Sequence, residues 1–138
     1  MNEPHLSLRA WLFDADASWS DAIAASSLAQ AGLTVEVFRS LDEMASDEEE
    51  QRPDVVVIGC TRADDSTLAA VKSLARRQPV VVLISDYDSR SMRLFFLAGA
   101  ADVGLRYQAG PRLAATVVGA EATARKHRSR ARIWQPTA

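Results

Sequence analysis

The sequence predicts a single α/β domain, a five-stranded parallel sheet wrapped by helices. Three observations carry this. Short apolar runs alternate about five times with longer stretches of helical spacing. Two of the runs, Val55 to Ile58 and Val80 to Ile84, are apolar throughout, the mark of strands buried on both faces. The intervening stretches are long enough to be crossover helices, which are right-handed. At 138 residues the chain has one domain's length and enough side chains for a real core.

Leu8 to Phe13 is the first strand. A helix follows from Ser18 to Ala31, with Ser18 as its cap and Gly32 as its terminator. Thr34 to Phe38 is β-branched and apolar, the second strand. Leu41 to about Gln51 is a weak helix in which Leu41, Met44 and Ala45 share a face and the remainder is acidic. Val55 to Ile58 is the third strand. A third helix, Ser66 to Arg77, sets Leu68, Val71 and Ala75 at helical spacing. Pro79 opens the fourth strand, Val80 to Ile84. Ser89 to Ala98 is the fourth helix, ended by Gly99, and Asp102 to Leu105 is a short fifth strand. Pro111 suits the first turn of a last helix. That helix runs to about His127 with Leu113, Val117, Ala120 and Ala124 on one face. The domain is expected to span residues 1–128, with 129–138 as a basic tail or linker.

Composition narrows the function classes. No apolar run approaches the roughly 20 residues that cross a bilayer. Met1 to Ser7 lacks the basic and apolar parts of a signal peptide. A single cysteine, Cys60, makes no internal disulfide, and the expected compartment is the reducing cytoplasm. All 18 acids and 11 of the 16 basic residues lie within residues 1–124, which therefore carry −7, while the remainder carries +5. Nucleic acid is not an expected partner of the domain on charge grounds. The basic tail has two readings, a helical extension towards a partner domain or a phosphate contact. The run Asp47 to Glu50 reads as a solvated face.

In a sheet of this kind the functional crevice lies beyond the carboxyl ends of the strands. That rule singles out Asp14, Gly59, Ser85 and Arg106, with Asp16 close by. No nucleophile–base pair, metal set or Gly-rich phosphate loop accompanies them, and no cofactor is expected. Cys60 reads as an inert thiol, Asp64 and Asp65 as caps of the third helix, and His5 and His127 as isolated.

Several local motifs give these positions a context. The first strand runs into acid as Trp11-Leu12-Phe13-Asp14-Ala15-Asp16. Pro53-Asp54 opens the third strand. Pro79-Val80-Val81-Val82-Leu83-Ile84-Ser85 ends in a hydroxyl residue, and Ala98-Gly99-Ala100 precedes Asp102. Together, from about Arg9 to Arg125, they resemble the receiver domain of bacterial two-component response regulators. The resemblance implies a flavodoxin-like doubly wound sheet, order 2-1-3-4-5, with five helices.

It also implies a phosphoacceptor aspartate, adjacent acids that hold magnesium, a lysine, a hydroxyl residue and a switch aromatic. Here the acceptor position is Gly59. Asp14 is kept, but the acid beside it is Ala15. The lysine position is Arg106, the proline after it is Tyr107, and the switch aromatic is Val103. Only Asp14 and Ser85 persist, and Asp54 lies at the wrong end of its strand. The expectation is a degenerate, non-catalytic receiver that neither takes up phosphate nor binds magnesium. Arg106 either pairs with Asp14 or is solvated. In a second reading, the room left by Gly59 and the charge of Arg106 hold a small anionic ligand.

Contact surfaces then carry the function. Leu94-Phe95-Phe96-Leu97 is apolar over a full turn, more than one buried stripe requires. The resemblance implies that helix four, strand five and helix five form the face that meets partners. Met92, Phe95, Phe96, Val103, Tyr107, Leu113 and Val118 are its expected members, and a homodimer or an output domain its expected occupant. The chain is either a stand-alone module or part of a longer transcription or antitermination regulator.

Overall fold

The computed structural model describes residues 8–16, 25–46, 52–86, 88–107 and 110–133. Its elements in order are β1 (Arg9–Asp14), α1 (Ala25–Gln30), β2 (Thr34–Phe38), α2 (Leu41–Ser46), β3 (Val55–Cys60), α3 (Asp65–Leu74), β4 (Val80–Ile84), α4 (Ser89–Ala98), β5 (Asp102–Leu105) and α5 (Gly110–Ile133). The strands form one parallel sheet in the order β2-β1-β3-β4-β5. This is the flavodoxin-like arrangement expected. No described helix is long and apolar enough to cross a membrane.

Side chains of the central strands alternate between two apolar layers, as the period of a strand requires. Val55, Val57, Val81 and Leu83 pack on one face with Leu28 of α1 and Leu113 and Val117 of α5. Val56, Ile58, Val82 and Ile84 pack on the other with Met44 of α2, Val71 and Leu74 of α3 and Phe95 of α4. All five residues of β4 are fully covered, which is why its sequence is apolar without alternation.

The helix ends follow from local chemistry. Asp64 caps α3, its Oδ1 accepting from the Thr67 N–H at 2.8 Å. Asp88 caps α4, its Oδ1 accepting from the Ser91 N–H at 2.7 Å. These bonds hold both carboxyls below their ordinary range. Gly99 closes α4 with φ 111°, a left-handed turn that suits glycine.

Several boundaries differ from expectation. The α3 helix ends at Leu74 rather than Arg77, because the chain turns there and the Gln78 side chain donates back to the Leu74 carbonyl. The α5 helix runs on to Ile133 rather than ending near His127, so residues 129–133 of the expected tail or linker are helical. The expected Ser18 cap, and the end of α2 near Gln51, lie outside the described residues.

Three members of the expected contact face are corrected. Phe95, Val103 and Leu113 lie in the core, at 0%, 6% and 1% exposure. The reason is rotational. Ser91 and Phe95, one turn apart, form the buried stripe of α4, so Phe96 and Leu97 point outward. Phe95→Ala is expected to cost about 3–5 kcal/mol in urea unfolding. Phe96→Ala is expected to cost under about 1 kcal/mol. Equal losses for the two would contradict this assignment of faces.

Candidate functional site

Parallel register brings the crevice residues together. Asp14, the last residue of β1, is paired with Gly59 of β3, and Cys60 with Ile84 of β4. The Ser85 N–H then donates to the Cys60 carbonyl at 3.1 Å, and the Arg106 N–H to the Ile84 carbonyl at 3.0 Å. Residues just beyond β4 and β5 are thereby fixed over the end of the sheet.

A buried ion pair fills this place. Asp14 and Arg106 are only 5% and 6% exposed. Arg106 Nε donates to Asp14 Oδ2 at 2.7 Å, and Nη2 donates to Oδ1 of the same carboxylate. The contact is bidentate, which suits the rigid guanidinium fork. Nη1 donates to Ser85 Oγ at 3.1 Å, and the Asp16 N–H donates to Asp14 Oδ1 at 2.7 Å. Burial works against the charge on Arg106. The bonds and charge of Asp14 outweigh that effect and hold the guanidinium above its ordinary range.

Gly59 lies directly beneath this pair. A Cβ placed there would overlap Asp14 Oδ2 and stand 2.7 Å from its Cγ, closer than side chains approach. Gly59 is not in the left-handed region, so space rather than backbone conformation demands glycine here. The expectation that the missing side chain leaves room for an anion is overturned. The room is taken by Asp14, and three guanidinium nitrogens are already engaged. Of the two states expected for Arg106, pairing with Asp14 is the one found.

The site residues sort cleanly. Asp14, Gly59, Ser85 and Arg106 lie together at the carboxyl end of the sheet, while the Asp16 side chain is exposed, its N–H donating to Asp14 and its charge favouring the Arg106 cation. Asp54 sits at the opposite end of the sheet, its Oδ2 accepting from the Arg9 N–H at 2.8 Å. The donor set does not fit magnesium. Both Asp14 oxygens face a guanidinium, and Ala15 and Gly59 supply no oxygen side chain. Among the described residues no three His, Cys, Asp or Glu gather as ligands. One grouping escaped sequence reasoning: Arg76, Arg77 and Arg128 line a single concavity of about 680 Å³ beside the amino ends of β4 and β5. No sequence signal links two residues after α3 to one near the end of α5.

Cys60 is half-buried next to the pair. Desolvation, and then the charge of Asp64, push its thiol up to about 12, against a lowering by Arg106.

No family model matches the sequence, and no curated protein does. Solved structures share its fold. The beryllofluoride-activated receiver domain of DrrB is similar with a TM-score of 0.71 and 23% identity, over 83% of this chain and 97% of that one. A CheY-like receiver domain from Methanospirillum hungatei gives a TM-score of 0.76 at 14% identity, over 88% and 98%. A CpaE pilus assembly protein from Burkholderia thailandensis gives 0.73 at 19%, over 83% and 98%. At these identities the likeness establishes the receiver fold.

Two outcomes are expected. Arg106→Met leaves a buried carboxylate without its counter-ion and should cost about 3–5 kcal/mol by urea unfolding, whereas Asp14→Leu combined with Arg106→Met should lose less than the single change. A double variant less stable than the single one would show that the pair is not what holds this end of the sheet. For Cys60, the thiol is protonated in both folded and unfolded chains below its ordinary value of 9.0. As pH rises from there towards about 12, the unfolded chain gives up its proton first, so stability falls across that window. At pH near 8 the native thiol should react with an aromatic disulfide at least about 100-fold more slowly than the urea-unfolded chain. Comparable rates would make Cys60 a reactive thiol.

Proposed function

We propose that this chain is a pseudo-receiver, a non-catalytic module that signals by protein–protein contact and independently of phosphorylation. It acts in the cytoplasm, as a homodimer or joined to an output domain of a transcription or antitermination regulator. The observation that carries this reading is the closure of the crevice. Gly59 bears no carboxylate, and the Asp14–Arg106 pair occupies the space in which one would have to stand.

A carboxylate is needed to form an acyl phosphate, and the carboxylate buried in the crevice, Asp14, is held through both oxygens by Arg106, which also binds the Ser85 hydroxyl. The guanidinium supplies a fixed positive charge of the sort that a metal ion would otherwise supply to a phosphoryl group. The resulting state has no chemical step by which to change. One structural neighbour is, by its name, a pilus assembly protein. The fold therefore also occurs outside proteins named as response regulators, as is usual for widely used folds.

The contact face is read from what remains exposed on α4, β5 and α5. Phe96, Leu97, Leu105, Tyr107 and Val118 are exposed at 45%, 77%, 48%, 62% and 38%. Met92 is half-buried at its margin. The cation of Arg106 lies 5.6 Å from the centre of the Tyr107 ring, so the crevice and the face adjoin. Apolar side chains grouped in this way mark an interaction surface, and two copies meeting through it would form an isologous dimer.

The test combines chemistry and assembly. Acetyl phosphate or beryllofluoride with magnesium should leave the intact mass and the amide spectrum unchanged, and Gly59→Asp should not restore phosphorylation. Light scattering at high micromolar concentration should give a dimer, and Phe96→Asp should halve its mass while circular dichroism stays native. A stable acyl phosphate on the folded chain would overturn the phosphorylation-independent part. A wild-type monomer, or a dimer indifferent to Phe96→Asp, would overturn the contact face.

A further inference from the structure

The basic residues from Arg125 onwards lie on helix. They continue α5 as helix to Ile133, and after Glu121 there is no acid. Arg125, Lys126, Arg128 and Arg130 are exposed along it. Arg125 is partly spoken for, its Nε lying 3.6 Å from Glu121 Oε1. Lys126, Arg128 and Arg130 make no ion pair or side-chain hydrogen bond with any described residue. At 100° per residue these three, with Arg125, span an arc of about 200°, wider than a single stripe.

The body of the domain adds to them. Arg76 and Arg77, in the turn after α3, line one wall of the concavity whose other wall is α5, and Arg128 lines that wall with His127. Both arginines are exposed and likewise unpaired among the described residues. The one acid in this concavity, Asp102, accepts from the Val103 N–H at 2.8 Å and pairs with none of these cations. Two segments about 50 residues apart in sequence thus bring Arg76, Arg77 and Arg128 to one concavity, at the opposite end of the sheet from the Asp14–Arg106 pair, while Lys126 and Arg130 line a separate one with Arg125.

We propose that these cations, Arg76, Arg77 and Arg128 on one side of α5 and Lys126 and Arg130 on the other, bind the phosphate backbone of double-stranded nucleic acid without sequence preference. A flat protein partner meets one face of a helix. A helix laid in a duplex groove meets phosphates on both sides, and the distribution of cations around α5 suits the second geometry. Arginine, which supplies four of the five, binds phosphate through paired bonds. The −7 carried by residues 1–124 opposes non-specific attraction over the rest of the molecule. Affinity is therefore confined to this end and lies in the micromolar range typical of backbone contacts. Each protomer's contact forms whether or not the dimer does, and whatever the state of the crevice.

The test is fluorescence anisotropy of a labelled duplex of about 20 base pairs against the full chain, at NaCl from about 50 to 200 mM. Five phosphate contacts should give a slope of log K against log salt of about −4.5. Arg76→Ala with Arg77→Ala should weaken binding at low salt at least tenfold and reduce that slope by about 2. Lys126→Ala with Arg128→Ala and Arg130→Ala should reduce it by about 3, with native circular dichroism in both variants. No binding at the lowest salt and high micromolar protein overturns the proposal. So does a slope unchanged by the Arg76 and Arg77 changes, which would leave the body out of the contact. Equal affinity for labelled poly-glutamate would assign the cations to an acidic protein and also overturn it.

Discussion

The bidentate contact between Asp14 and Arg106 is the constraint on which the carboxyl end of this sheet is organised. Asp14 ends β1 and Arg106 follows β5, with β3 and β4 between them in the sheet. Their side chains meet over those two strand ends and tie an edge of the sheet to its middle. A buried charge pair of this kind repays its desolvation only with good geometry and with its remaining donors satisfied. Here the fork supplies two bonds, Ser85 takes a third, and the Asp16 N–H adds a fourth to the carboxylate. Gly59 follows from this as a consequence. The carboxylate rests where the side chain of residue 59 would begin, so the glycine and the ion pair imply each other.

Much of the fold was legible because its signals are local. β2, β4, α4 and β5 were read with the bounds observed, since continuous apolar runs, Pro79 and Gly99 act within a few residues. What escaped was geometry between distant segments or around a helix axis. Four consecutive apolar residues from Leu94 say that α4 is buried and exposed at once, but only packing decides that Phe95 turns inward and Phe96 outward. The residue types at the crevice were readable, and so were the two candidate states of Arg106. Its partner is 92 residues away, and no local pattern chooses between them. Gly59 was misread as space because a sequence records the missing side chain and not the neighbour that fills its place. Helix α5 was cut short because its apolar periodicity ends near His127, while the hydrogen-bonded backbone continues without it.

A switch needs two states that some ligand or modification distinguishes, and it moves the balance only by its differential affinity for them. A crevice closed by its own residues offers no such purchase. Under the proposed function, the exposed apolar side chains on α4, β5 and α5 then present one fixed surface. Control passes to protomer concentration and to whatever competes for that surface. Burial and the charge of Asp64 hold the neighbouring Cys60 thiol protonated to about 12, which makes it a poor nucleophile at physiological pH.

The two proposed surfaces share α5. Val118 lies exposed in its first half, on the proposed contact face, and the unpaired cations lie two to three turns further on. Pairing through the first would bring two basic helix ends into one particle. A duplex held by one end then meets the second at high effective concentration, so weak individual contacts combine into stronger overall binding if the spacing permits both to engage. Under the proposed function this coupling would not be gated by phosphate. It would depend on the protomer concentration that sets the dimer and on the ionic strength that sets the backbone contacts. Salt and dilution would thus act on the same bound state through different surfaces that share α5.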